Sequence, residues 1–152
     1  MRIKLEINGR EIFPDCDPGD SLADILRGLG YTEVKKACGT GNCGLCTVLM
    51  DGVPVPSCSI LAGRADGHVI TTVRGLEKEA LELAGFLCAE GVEQCGYCSP
   101  GLAVMVIAMV RELGNDIADE QIRHYLAGNL CRCSGYEGHL RAIRRYLEAR
   151  HG

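Results

Sequence analysis

The chain has 152 residues, 47% of them hydrophobic, a formal charge of −4 and ten cysteines. That hydrophobic content excludes a disordered chain, and the acidic balance argues against a nucleic-acid partner, because a duplex binder needs a basic face to displace counterions. The length suits one medium domain or two small ones, each near the size where a hydrophobic core alone is marginal and a metal or other staple helps.

In chain order, Ile3, Leu5 and Ile7 alternate onto one face, Asn8-Gly9 is a two-residue hairpin signal, and Glu11-Ile12-Phe13 supplies the returning strand. This opening alternates instead of forming a continuous apolar run, and it carries no small-residue cleavage site. A reducing, cytoplasmic compartment is therefore expected, which favours metal ligation over disulfides. Asp17-Pro18-Gly19-Asp20 is turn chemistry, and Ser21 with Asp24 three residues on is similar to a capping box. Leu22, Ile25, Leu26 and Leu29 then recur at helical spacing, with Gly30 as the stop. A loop dense in Gly and Cys follows, then Thr47–Met50, the turn Asp51-Gly52, Val53-Pro54-Val55, and the β-branched run Val69–Val73. Residues 1–75 read as a mixed α+β domain.

Around Gly75 the apolar period changes from 2 to 3.6, so residues 76–152 read as an all-α domain. Leu76–Cys88 predicts a helix with Leu81, Ala84, Leu87 and Cys88 on one side. Ser99 is placed to cap a second helix with Pro100 at its first position, where a missing N–H costs nothing. Leu102–Val110 is apolar on every side, which predicts a central, buried helix. It is about half the length needed to span a bilayer, so no membrane span is expected. A third helix is predicted over Asp119–Ala127, ended by Gly128, and a fourth over His139–Arg150 with Ile143, Tyr146 and Leu147 inward. Together these make a four-helix bundle.

The cysteines carry the chemistry. Cys38, Cys43, Cys46 and Cys58 are separated by four, two and eleven residues. Plant-type ferredoxins hold a 2Fe–2S cluster on C-x4-C-x2-C plus a distant fourth Cys. Gly39, Gly41 and Gly44 suit a loop that needs positive φ and N–H groups aimed at sulfur. Zinc ligands come instead as C-x2–4-C pairs, and three cysteines in one Gly-rich loop fit that poorly. The same loop spells G-x-G-x-x-G from Gly39 to Gly44, but a dinucleotide site requires a strand before it and a helix after it. Here cysteines flank and interrupt it and a strand follows, so a nucleotide site is rejected. The second group, Cys95-x2-Cys98 and Cys131-x-Cys133 with thirty-two residues between, fits zinc and iron–sulfur about equally.

Gln94-Cys95-Gly96-Tyr97-Cys98-Ser99-Pro100-Gly101 and Gly128-Asn129-Leu130-Cys131-Arg132-Cys133-Ser134-Gly135-Tyr136 resemble the signatures of the molybdenum hydroxylase family. The loop from Cys38 to Cys46 and the later Ser57-Cys58 resemble the family's other motif. The resemblance covers essentially the whole chain. It points to the separate small iron–sulfur subunit of xanthine dehydrogenase, aldehyde oxidoreductase and aerobic carbon monoxide dehydrogenase types. Leu45, where Ala is usual, and Ser99 and Ser134, where Thr is common, are departures that touch no ligand.

The resemblance implies a β-grasp, plant-type ferredoxin domain followed by the four-helix bundle, with a 2Fe–2S cluster in each. The implied ligands are Cys38, Cys43, Cys46 and Cys58 for one and Cys95, Cys98, Cys131 and Cys133 for the other. It further implies a large partner subunit holding a molybdenum pterin close to Gln94 and Cys133, and a flavin (FAD) subunit or another acceptor facing the first cluster. Electrons would run from molybdenum through the bundle cluster, then the ferredoxin-type cluster. A free-standing two-cluster ferredoxin and a zinc-stapled, non-redox interaction module are the alternatives.

The other conspicuous residues have plainer readings. Cys16 and Cys88 are expected to pack as small hydrophobes. His68, His124, His139 and His151 lack metal-pair spacing and read as surface or structural residues. Arg141, Arg144 and Arg145 read as a solvated helix face, and Met105 and Met109, at helical spacing, as core. No Ser–His–Asp arrangement, poised carboxylate pair or phosphate loop is evident, so the chain itself is expected to carry electrons without a catalytic residue of its own.

Overall fold

The computed structural model describes residues 1–150; His151 lies outside the described residues. Strands β1 (Leu5–Ile7), β2 (Arg10–Ile12), β3 (Thr47–Met50), β4 (Val53–Pro56) and β5 (Val69–Thr71) form one sheet in the order β2-β1-β5-β3-β4. β1 and β5 run parallel, and the other pairs are antiparallel. Both tight hairpins have the predicted chemistry: Asn8 and Gly9 sit at φ 51° and 78°, Asp51 and Gly52 at 51° and 82°. These positive angles are what a two-residue turn needs to follow the twist of the strands, and Asn, Asp and Gly tolerate them best.

Helix α1 (Leu22–Gly28) is capped by Ser21, whose Oγ accepts the Asp24 N–H at 3.2 Å. It lays Leu22, Ala23, Ile25 and Leu26 on the sheet face carrying Ile3, Leu5, Ile7, Val48 and Ile70. Each fully buried Leu, Ile or Val among them contributes about 1.5–3 kcal/mol. A single turn, α2 (Ala62–Ala65), closes this layer through Ala62 and Ala65.

The rest of the chain is helical: α3 (Glu77–Ala89), α4 (Ser99–Leu113), α5 (Asp119–Tyr125) and α6 (Glu137–Ala149). Helix α4 is buried nearly all round because it serves two cores. Leu102, Ala103, Val106 and Met109 pack with α3, α5 and α6, while Val104, Ile107 and Ala108 pack with Leu49 of β3 and Leu76. Pro100 falls at the second helical position, one residue later than predicted, and still needs no N–H there. Met109 is fully buried and Met105 half-buried.

Helix α3 presents a different face from the one expected. Leu83 and Leu87 point inward, with Ala80 and Phe86 packed beside them, whereas Leu81 is 66% exposed. Both stripes have helical spacing, and α3 packs mainly on α6, which selects the Leu83 side. Cys88 lies on the outer stripe and is exposed, not packed; Cys16 is half-buried against the sheet core. The α6 arginines are not merely solvated. Arg141 and Arg145 both pair with the buried Glu90 carboxylate, at 3.1 and 2.7 Å, and Arg144 pairs with Asp119.

Candidate metal centres

The first cysteine loop runs between α1 and β3, and its shape follows from its glycines. Gly39, Gly41 and Gly44 adopt φ of 65°, 76° and 69°, a region closed to most side chains. The chain can thereby turn its amides inward. The N–H groups of Thr40 and Cys43 each donate to Cys38 Sγ at 3.4 Å. With Thr40 contributing most, these bonds bring the Cys38 thiol down to about 6. Cys58 arrives from a short turn, Ser57–Ser59, and its N–H donates to Cys46 Sγ at 3.5 Å. The fully buried Ser57 fixes that turn, its Oγ donating to the Cys46 carbonyl at 2.6 Å. Burial pushes the Cys46 thiol up. The four thiols thus come as two pairs, Cys38 with Cys43 and Cys46 with Cys58.

The second group is assembled from two loops at one end of the helices. Cys95 and Cys98 precede α4; Cys131 and Cys133 lie between α5 and α6. Cys133 Sγ is 3.6 Å from Cys95 Sγ, and the Cys98 thiol faces Cys131. Burial first, then that neighbour, pushes Cys98 up to about 12. At Cys131 burial also favours the thiol, but it is outweighed by hydrogen bonds from Ser134, whose N–H lies 3.4 Å from the sulfur. Gln94 Nε2 donates to the Cys133 carbonyl at 3.1 Å, and Cys95 and Cys133 are both exposed at this end.

Each group therefore offers two pairs of thiols with backbone amides aimed at sulfur. A 2Fe–2S cluster asks for such a donor set, four thiolates shared between two irons. A nucleotide site is excluded for Gly39–Gly44, since β3 and not a helix follows it.

The two groups are also adjacent. Leu130 N–H donates to the Cys43 carbonyl at 2.9 Å, and Asn129 Nδ2 reaches the Gly44 carbonyl at 3.4 Å. A Cβ on Gly101 would lie 2.5 Å from the Gly44 oxygen, so only glycine allows this approach. Cys43, Cys98 and Cys131 line a common gap too narrow for water. Tyr97 spans the same seam, its hydroxyl donating to the Lys36 carbonyl at 2.8 Å and its ring meeting the Lys35 ammonium at 5.6 Å.

His139, read from the sequence as a surface or structural residue, is buried beside the second cysteine group. Its ring nitrogen and the sulfurs of Cys98 and Cys131 lie within 4.8 Å of one another, and it is only 6% exposed. The available signal was positional: His139 adjoins Leu140 on the inward face of α6, six residues after Cys133.

Paired thiols in two adjacent loops, one on a sheet and one on helices, define a two-centre iron–sulfur protein. Residues 5–72 match the family described as a 2Fe-2S iron-sulfur cluster binding domain, and residues 72–144 match a second 2Fe-2S binding domain. The chain is 41% identical over 140 residues to the nicotinate dehydrogenase small FeS subunit of Eubacterium barkeri, covering 90% of this chain and 88% of that one. It is 39% identical over 140 residues to the xanthine dehydrogenase iron-sulfur-binding subunit of Escherichia coli O157:H7, with the same coverage of 90% and 88%. The crystal structure of quinoline 2-oxidoreductase from Pseudomonas putida 86 superposes with a TM-score of 0.90 at 38% identity, covering 100% of this chain and 97% of that one. The chain belongs to the 2Fe–2S iron–sulfur subunits of the molybdenum hydroxylase family. Within such an enzyme its part is electron transfer.

Proposed function

We propose that this chain relays electrons through two 2Fe–2S clusters between a molybdenum pterin on a large partner subunit and a flavin subunit or other acceptor. The sheet half, residues 1–75, is read as a β-grasp ferredoxin domain with Cys38, Cys43, Cys46 and Cys58 as ligands. The helical half, 76–152, is read as a four-helix bundle with Cys95, Cys98, Cys131 and Cys133 as ligands. When bound, each cluster supplies one-electron redox chemistry.

The chain's own residues position and insulate. Thr40, Cys43, Cys58 and Ser134 give backbone N–H groups to sulfur, which favours the thiolate and tunes potential. Gly44 and Gly101 let the loops close on each other without intervening water. The observation that carries the reading is this contact, in which a cysteine of one group is hydrogen-bonded to the residue preceding a cysteine of the other.

Gln94 and Cys133 sit bonded and exposed at the helical end, which suits them to face the partner's pterin. Tyr97, Leu130 and Tyr136 are 44–47% exposed around the same end. Large apolar side chains at a rim of this kind fit a docked subunit better than a freely diffusing ferredoxin. No helix among the described residues is long and apolar enough to cross a membrane, and the reading places the complex in the cytoplasm.

Iron and acid-labile sulfide, measured on anaerobically purified protein with EPR after reduction, test this. About four of each with two distinct signals is the expected result. A second reading, a zinc staple in the helical half, draws on the close approach of Cys98, Cys131 and His139. About two iron with one tightly bound zinc would establish it in place of the relay.

A further inference from the structure

The cysteine motif makes no demand at position 139, yet the chain buries a histidine there among Leu102, Leu140 and Ile143, in a wall that is mostly apolar but also carries Arg123, Asn129 and Tyr136. Burying a polar group without a partner costs about 1–3 kcal/mol, so the imidazole has to be held. Nδ1 lies 3.3 Å from Ser134 Oγ, the ring's one hydrogen-bond partner among the described residues.

Ser134 is the centre of a small closed network around Cys131. Its N–H donates to Cys131 Sγ at 3.4 Å, and its Oγ accepts the Tyr136 N–H at 3.1 Å. The Tyr136 hydroxyl in turn accepts the Cys131 N–H at 3.1 Å. Tyr136 holds a positive φ of 72°, a conformation costly for a bulky side chain that persists only where surroundings enforce it. His139 enters this ring from the first turn of α6, with a nitrogen within 4.8 Å of the sulfurs of both Cys98 and Cys131.

We propose that His139 is a positioning residue for the helical-domain cluster: it fixes Ser134 against Cys131 and sets an N–H dipole beside the Cys98 and Cys131 sulfurs, raising that cluster's reduction potential. The sign requires an N–H, and not the lone pair of a neutral ring, to face the sulfurs. A neutral imidazole carries one N–H donor and a charged one carries two, and donors near sulfur stabilise the more negative, reduced cluster. The nearby Glu93 carboxylate, held by Ser99 Oγ at 2.7 Å, acts in the opposite sense. The histidine therefore offsets a negative charge already built into this end.

This inference rests on the two-cluster reading, and the test separates the two. Wild-type, His139→Leu, His139→Gln and Ser134→Ala proteins, each purified with the natural partner subunits, are titrated against potential with EPR detection of both clusters. His139→Leu should lower one midpoint so that the reduced-to-oxidised ratio at fixed potential falls about tenfold, equivalent to about 59 mV for one electron. The other cluster serves as an internal reference and should not move. His139→Gln, which keeps a donor, should restore most of the loss, and Ser134→Ala should shift the same cluster in the same direction. Unchanged midpoints in His139→Leu, or equal shifts in both clusters, would overturn the proposal and leave His139 as core packing. A wild-type protein with about two iron and one signal would instead overturn the two-cluster reading itself.

Discussion

The N–H of Leu130 donates to the carbonyl of Cys43 at 2.9 Å, so the residue beside one cysteine group is bonded directly to the other group. Everything around this bond is compressed to permit it. Gly101 places its Cα where a methyl would stand 2.5 Å from the Gly44 oxygen and 3.0 Å from the Leu45 oxygen. Both obstacles are backbone and cannot rotate away. Gly101→Ala is expected to destabilise the protein by about 1–3 kcal/mol through overpacking and to push the two loops apart. Denaturant unfolding measures the first effect; weakened magnetic coupling between the two EPR signals measures the second.

The paired thiols make a separable prediction for metal content. Cys46→Ala should abolish one cluster and Cys98→Ala the other, each removing about two of four iron and one EPR signal. Chelating all the iron should speed amide exchange at Thr40, Cys43 and Ser134, whose N–H groups then face only free thiols. The amides of α4, held inside the helix between two apolar cores, should stay protected.

Helix α3 allows its two stripes to be told apart. Leu83 is fully buried, and truncation to Ala should cost about 2–5 kcal/mol. Leu81, 66% exposed, should tolerate Lys within about 0.5 kcal/mol. Urea midpoints of the two variants, compared at constant m-value, decide the assignment.

Glu90 ends α3 with a carboxylate that is only 9% exposed and meets two α6 arginines, each 61% exposed. Glu90→Ala frees cations that can rehydrate, so the expected loss is about 1–2 kcal/mol and not that of a stranded buried charge. Arg144→Ala, which breaks the more open pair with Asp119, should cost under about 1 kcal/mol and respond more strongly to salt. Thermal unfolding at low and high ionic strength separates the two.

Much of this architecture was legible because short-range chemistry decided it. Asn8-Gly9, Asp51-Gly52, the Ser21 cap and the glycines of the first cysteine loop all adopt the conformations their residue types favour. The all-round apolarity of α4 correctly signalled a central helix, and the structure adds the reason, a sheet strand on one side and helices on the other. What could not be read depended on partners distant in the chain. The face of α3 is chosen by α6, some sixty residues on. The Arg141 and Arg145 pairs depend on where Glu90 emerges. His139 is invisible to a search for metal-pair spacing because its neighbour Cys98 comes from the loop before α4, far earlier in the chain.

The strand order has a consequence for biogenesis. β5 lies at the middle of the sheet, between β1 and β3, yet it is the last of the five to be synthesised. Until residues 69–71 leave the ribosome, β1 has no parallel neighbour and the two hairpins have nothing to join them. Pairings this far apart in sequence pay their loop-closure entropy before any contact rewards it, which makes them late and slow. Cys38, Cys43, Cys46 and Cys58 are therefore all translated before the sheet framework beneath their loops can close.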